Sequence, residues 1–380
     1  MKPSKRVDEI PPSGIRRYFE LAEEVDDIIS LGVGEPDFSA PWPVREAAIQ
    51  SLERGQTSYT TNRGRADLRQ EIAAFTRETF DLTYDPETEI LVTTGASEAV
   101  DLAIRALVDP GDVVAVAEPT YVSYRPLLKL VGAEVISVPT REEDDFRLTA
   151  EVLRESGATR ADHLVMCYPN NPTGAIMTTQ ELQQVATVAR ESDLTVISDE
   201  IYSALTYDGD HTSIANLPGM QERSVIINGF SKAFAMTGLR LGYALAPARI
   251  AGAMNRIHQY GMLSAPTTAQ YAALEGLQNC LDEVEQMRRQ YNRRRQFVLA
   301  RFAEMGISCF EAKGAFYVFP ECPGEDDEQF AEALLESEGV AVVPGHVFGE
   351  AGRGHLRVSY ATSLDQLRQA MNRIERFIEE

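Results

Sequence analysis

From Glu89 onward, short apolar runs alternate with segments of helical period. The runs cover 90–93, 113–117, 134–138, 163–167, 194–198, 224–227 and 242–246. Most are largely apolar with little in/out alternation, which marks strands buried on both faces. Between them lie amphipathic stretches: from Ala96 to Leu107, from Tyr121 to Val131, and from Thr178 to Arg190. The last has Thr178 and Glu181 spaced as a capping box. This alternation predicts an α/β fold with a central, mostly parallel seven-stranded sheet and helices on both faces.

The flanks read differently. An N-terminal arm carries a turn at Pro11–Gly14, a helix from Arg16 to Glu24 and a short strand from Ile28 to Val33. Helices from Pro43 to Arg54 and from Arg65 to Thr79 follow, separated by a polar loop at Thr57–Gly64. Past Pro247 one long helical region runs to Gly276 and another from Leu281 to Met305. Short strands (307–310, 315–319, 356–359) then mix with helices (328–337, 364–378), as in a smaller α+β domain. The expected division is an arm at 1–45, a large domain at 46–280 and a small domain at 281–380.

Polar residues concentrate where the predicted strands end, the place where open parallel sheets build binding sites. They are Gly95-Ala96-Ser97, Tyr121, Asn171, Asp199 with Tyr202, and Ser231-Lys232 with Arg240. Singly, each has a plain structural explanation. Asn171-Pro172-Thr173-Gly174 reads as a β-turn, and Asp199 as a strand-end carboxylate. Together they supply an amine nucleophile, a carboxylate, an amide, phenols and a helix N-terminus suited to a phosphate. Only five of the 36 basic residues are lysines, so a lysine beside a buried strand stands out. A lysine, an acid for a ring nitrogen and a phosphate cradle are the parts that pyridoxal phosphate requires.

Charge excludes other classes. A net charge of −22 opposes binding to nucleic acid or to anionic membranes. No apolar run approaches the roughly 18 residues of a membrane span, and the polar N-terminus has no signal-peptide character, so a cytoplasmic location is expected. Acid excess with arginine in place of lysine fits a halophilic protein, or simply an acidic cytoplasmic one. The four cysteines are scattered and the five histidines unpaired, so neither disulfides nor a metal site are expected.

Six motifs in order make the chain resemble the fold-type I pyridoxal-phosphate aminotransferases of classes I and II, in particular archaeal aromatic, broad-specificity and aspartate-type members. They are LGVGEPDF, YTTNRGRADLR, YPNNPTG, ISDEIY, GFSKAFAMTGLRLGY and GHLRVSYA. The resemblance implies that Lys232 forms the Schiff base with pyridoxal 5'-phosphate and shuttles the proton. It implies that Asp199 pairs with the ring nitrogen, that Tyr202 and Asn171 bind the ring hydroxyl oxygen, and that Tyr121 stacks on the ring. Gly95, Ala96, Ser97, Ser231 and Arg240 would hold the phosphate, with Tyr59 reaching in from the second subunit of a homodimer. Arg357 and Gly34 would receive the substrate carboxylate, and Ile15 and Arg16 in the arm would lie over the substrate. Two departures stand out. Gly229 replaces a serine frequent in the family, and Ser97 stands where some aspartate-using members carry a lysine, with no obvious substitute. The implied reaction is ping-pong transamination between an L-amino acid, aromatic or broad in range with aspartate second, and a 2-oxo acid such as 2-oxoglutarate. A carbon–sulfur β-lyase on the same fold and a non-catalytic cofactor-binding regulator are the alternatives.

Overall fold

The computed structural model describes residues 1–23, 27–324 and 326–379. In chain order its strands are β1 (Ile29–Ser30), β2 (Ile90–Thr93), β3 (Val113–Glu118), β4 (Glu134–Pro139), β5 (His163–Cys167) and β6 (Thr195–Asp199). They continue with β7 (Ser224–Gly229), β8 (Gly242–Leu245), β9 (Tyr317–Val318), β10 (Val340–Ala341), β11 (Val343–Pro344) and β12 (Leu356–Ser359).

Strands β2 to β8 form the seven-stranded sheet, in the order β2-β8-β7-β6-β5-β3-β4. All neighbours run parallel except β8, which is antiparallel to both β2 and β7. The apolar runs have the burial they require except at the sheet edge, where Val138 is buried but Glu134 and Ser137 of β4 are exposed. Along β5, Leu164 and Met166 join one core while Val165 and Cys167 join the other. Along β6, Val196 and Ile197 divide in the same way, so the period of two carries Asp199 to the face shared with Ile197. Burying such side chains contributes roughly 1.5–3 kcal/mol apiece, and both faces are covered. The order reverses where β3 lies between β4 and β5, opening a crevice at their carboxyl ends.

A second, antiparallel sheet, β11-β12-β9, carries Arg357 on its middle strand. The parallel pair β1–β10 stitches the N-terminal segment to this part of the chain. The connection continues through Leu31, which donates to Ala341 and accepts from Ser359 at 2.7 Å. Among the described residues, no helix is long and apolar enough to cross a membrane.

Several elements differ from the sequence pattern. The helical region after Pro247 is two helices, Ala248–Gly261 and Thr267–Asn279. Leu263 takes a positive φ of 70° and Pro266 starts the second helix, and together they break the run. The helix expected from Tyr121 begins only at Tyr124. The strand expected at 307–310 does not form, because Phe310 turns inward against Phe146 (centroids 5.3 Å apart) instead of pairing along a ladder. The strand expected at 28–33 shortens to β1, and β10 and β11 arise at the apolar run from Val340 to Val343, which was not among the expected strands. The arm helix is Gly14–Glu23; its expected last residue, Glu24, lies outside the described residues. The capping box at Thr178 and Glu181 forms as its spacing predicts.

Candidate active site

At the carboxyl ends of β3, β5, β6 and β7 lies a cavity of about 930 Å³. Its floor carries Lys232, in the short helix Phe230–Ala233 directly after β7. The Nζ donates to the Gly34 carbonyl at 2.6 Å. Burial lowers its pKa to about 8. The carboxylate of Glu35 works against that shift, while the positive charges of Arg357 and Arg240 add to it. An amine with this affinity is half neutral at about pH 8 and keeps a substantial neutral fraction below it, the state a nucleophile or base requires.

Asp199, the last residue of β6, is 5% exposed. Its Oδ2 accepts from the Tyr124 hydroxyl at 2.7 Å and its Oδ1 from the Ile201 amide at 3.2 Å. Burial raises its pKa to about 6, and these two donors limit the rise. A cationic ring nitrogen placed against this carboxylate would restore its charge.

The anion cradle is made by close packing. Gly95, with φ of 80°, starts the helix Ala96–Leu107. A Cβ on Gly95 would lie 2.6 Å from Arg240 Nη2, and one on Gly242 only 2.4 Å from the Ala96 amide nitrogen. The two glycines therefore let β8 and the Arg240 guanidinium close on the helix N-terminus. Ser97, exposed, and Ser231, 7% exposed, complete that wall.

The opposite wall belongs to Arg357, which is 2% exposed. Its Nη1 donates to Asn171 Oδ1 at 2.9 Å and its Nη2 to the Gly32 carbonyl at 2.6 Å, and among the described residues its Nε has no partner. The guanidinium lies over the rings of Tyr317 and Phe348, at 4.6 and 4.7 Å, and burial lowers its pKa. A buried arginine without a carboxylate partner is set to receive one from outside. Tyr202 shares a 2.9 Å hydroxyl contact with Tyr317, and burial raises the pKa of both.

The structure thus brings together Gly34, Ala96, Ser97, Tyr121, Asn171, Asp199, Tyr202, Ser231, Lys232, Arg240 and Arg357 around one cavity, with Gly95 packed behind Arg240. Tyr59 does not join them: it is 78% exposed and lies away from the cavity of its own chain. Sequence reasoning missed Tyr124, Tyr317 and Glu35. Tyr124 had one usable signal, since it lies one helical turn beyond Tyr121 and therefore on the same side.

Residues 26–374 match the family model for aminotransferase class I and II. The chain belongs to the class I and II aminotransferases. It is 50% identical over 377 residues to a Bacillus subtilis (strain 168) protein, provisionally named an aminotransferase without a substrate, covering 99% of this chain and 98% of that one. The structure of an aromatic aminotransferase from Pyrococcus horikoshii OT3 superposes with a TM-score of 0.91 at 42% identity, covering 95% and 98% of the two chains. That of the Thermus thermophilus aspartate aminotransferase with maleate gives a TM-score of 0.94 at 38% identity, covering 99% of each.

Aminotransferases of this family use pyridoxal phosphate, and the residues of this cavity fit it. The glycine-lined cradle closed by Arg240 suits its phosphate, Asp199 its ring nitrogen and Lys232, whose pKa burial lowers, its aldehyde.

Proposed function

We propose that this aminotransferase moves the α-amino group of an L-amino acid, aromatic or of broad range with aspartate also accepted, to a 2-oxo acid such as 2-oxoglutarate. The observation that carries the reading is Lys232 itself: an amine with a pKa near 8, facing a buried acid and a buried, carboxylate-free arginine in one cavity. Bound pyridoxal phosphate supplies the electron sink for the carbanion at the substrate's Cα.

The chain's own residues do the rest. Arg357 takes the α-carboxylate in its planar fork, exchanging the neutral Gly32 and Asn171 acceptors for an anion. Lys232 Nζ, released from the Gly34 carbonyl, takes the Cα proton as general base and returns a proton as general acid. Asp199, kept ionised by Tyr124, stabilises positive charge on the ring nitrogen. Tyr202 and Asn171 would hold the ring oxygen of the bound cofactor, and Tyr121 would cover its ring face. The order is ping-pong, since one cavity serves both the amino and the oxo acid in turn.

A homodimer completes the site in this reading. The exposed Tyr59 lies in a loop bonded to the segment that bears the exposed Met262 and Leu263: Asn62 donates to the Leu263 carbonyl and Thr267 to that of Ser58. Such an apolar patch is a surface for a second copy, which would bring Tyr59 to the neighbouring phosphate. The relatives named for aromatic and for aspartate substrates, one of them holding maleate, support both an aromatic and a dicarboxylic partner. A cytoplasmic, salt-rich setting suits the net charge of −22.

The test is transfer to 2-oxoglutarate from a panel of L-amino acids, together with release of one 2-oxo acid per protomer when no acceptor is present. Lys232→Ala should abolish both, and a variant that keeps substantial transfer would refute the assignment.

A further inference from the structure

Four cations line the cavity: Lys232, Arg240 and Arg357 in its walls, and Arg16 at its mouth. The proposed reaction uses the first three. Arg16 is exposed and, among the described residues, makes no ion pair or hydrogen bond through its guanidinium. Its position is nevertheless fixed. The helix Gly14–Glu23 begins at the cavity, with Ser13, Ile15 and Arg16 all lining it. Its rotation is set by Tyr18, 3% exposed, and by Arg17, which turns outward to Glu328 and Glu332 at 2.5 Å each. Gly14 packs so closely on Val347 that a Cβ there would lie 2.9 Å from Cγ1. Val347 adjoins Phe348, whose ring lies against the Arg357 guanidinium. Arg16 therefore approaches the cavity from the same side as the α-carboxylate fork, with a helix N-terminus beneath it.

Glu35 also lines the mouth, and its negative charge acts on Lys232. It disfavours any second carboxylate on a substrate unless a cation offsets it. Ser97 offers none, and Arg16 does.

We infer that Arg16 is a specificity-determining residue that receives the distal carboxylate of dicarboxylic substrates, a 2-oxo diacid or an acidic amino acid, while apolar side chains bypass it. This inference rests on the transamination reading. It gives the lysine absent at position 97 a substitute from a different element of the fold, the N-terminal helix.

The holoenzyme and its Arg16→Gln and Arg16→Lys variants are compared with 2-oxoglutarate and phenylpyruvate as alternative acceptors for one donor. Succinate and butyrate binding is measured alongside by calorimetry. Loss of one charge-assisted contact should raise the 2-oxoglutarate to phenylpyruvate KM ratio about tenfold in Arg16→Gln, and Arg16→Lys should recover most of it. Succinate affinity should fall by a similar factor relative to butyrate. A KM ratio and a succinate to butyrate ratio that stay unchanged in Arg16→Gln would overturn the inference. If the wild type transfers no amino group at all, the functional reading fails instead, and the succinate to butyrate ratio alone decides the role of Arg16.

Discussion

Removing one hydroxyl, by Tyr124→Phe, should change how stability depends on pH. The Tyr124 hydroxyl donates to Asp199 Oδ2 at 2.7 Å, with both groups buried. A hydrogen bond to a charged group is worth about 1.5–3 kcal/mol. At 1.36 kcal/mol per unit, its loss should move the Asp199 pKa up by roughly 1–2 units from about 6. The sign follows from linkage. Asp199 titrates higher folded than unfolded, so its protonated form costs nothing at low pH. Stability falls as pH rises from the unfolded pKa, near 3.8, to the folded one. In the wild type that loss ends near pH 6; in Tyr124→Phe it continues toward pH 7 or 8. Between pH 5 and pH 7.5 the variant should therefore lose roughly 1–2 kcal/mol more than the wild type. With about 2.1 cal/mol/K per residue over 380 residues, that is a further Tm depression of roughly 1–3 °C. The assay is scanning calorimetry of the cofactor-free protein at both pH values and fixed protomer concentration. The Lys232 titration, which begins within this window, is shared by variant and wild type and drops out of the difference. A Tm difference between variant and wild type that is the same at both pH values would refute the argument, because Tyr124 would then be a packing residue only.

Two further outcomes are expected. Gly242→Ala should weaken pyridoxal phosphate binding roughly ten- to hundredfold by equilibrium dialysis, since the new methyl meets the Ala96 amide at 2.4 Å and overpacking costs about 1–3 kcal/mol; an unchanged affinity would mean that the cradle relaxes freely. Acylation of Lys232 in the cofactor-free protein, followed by peptide mass mapping, should show a half-maximal rate near pH 8, where an ordinary solvated lysine needs a pH of about 10; a midpoint near 10 for Lys232 would show that burial does not perturb it.

The large sheet was legible because its inner strands are buried on both faces, so the apolar runs at 90–93, 163–167 and 224–227 leave no competing period. The floor of the site was legible for a related reason. Asp199 and Lys232 occur where such runs stop, and the topology turns that linear fact into proximity. The short strands outside the large sheet were less readable, since β1, β9, β10 and β11 have two residues each, shorter than any periodicity test. Tyr317 and Phe348, which support Arg357 from below, could not be inferred from spacing: their relation to it is purely tertiary. Tyr59 was identified from a motif and, in a single chain, lies apart from the rest.

The bond from Arg357 to the Gly32 carbonyl spans 325 positions of sequence, which has a consequence for how the chain comes into being. The cradle, the lysine and the acid are all translated by residue 242. The fork for the α-carboxylate emerges more than a hundred residues later, at least several seconds at typical elongation rates. A nascent chain could therefore hold the cofactor's anion before it can recognise a substrate, and closing so long a loop adds its own entropic cost. A ribosome stalled between these points would carry half of an active site, able to bind and unable to choose.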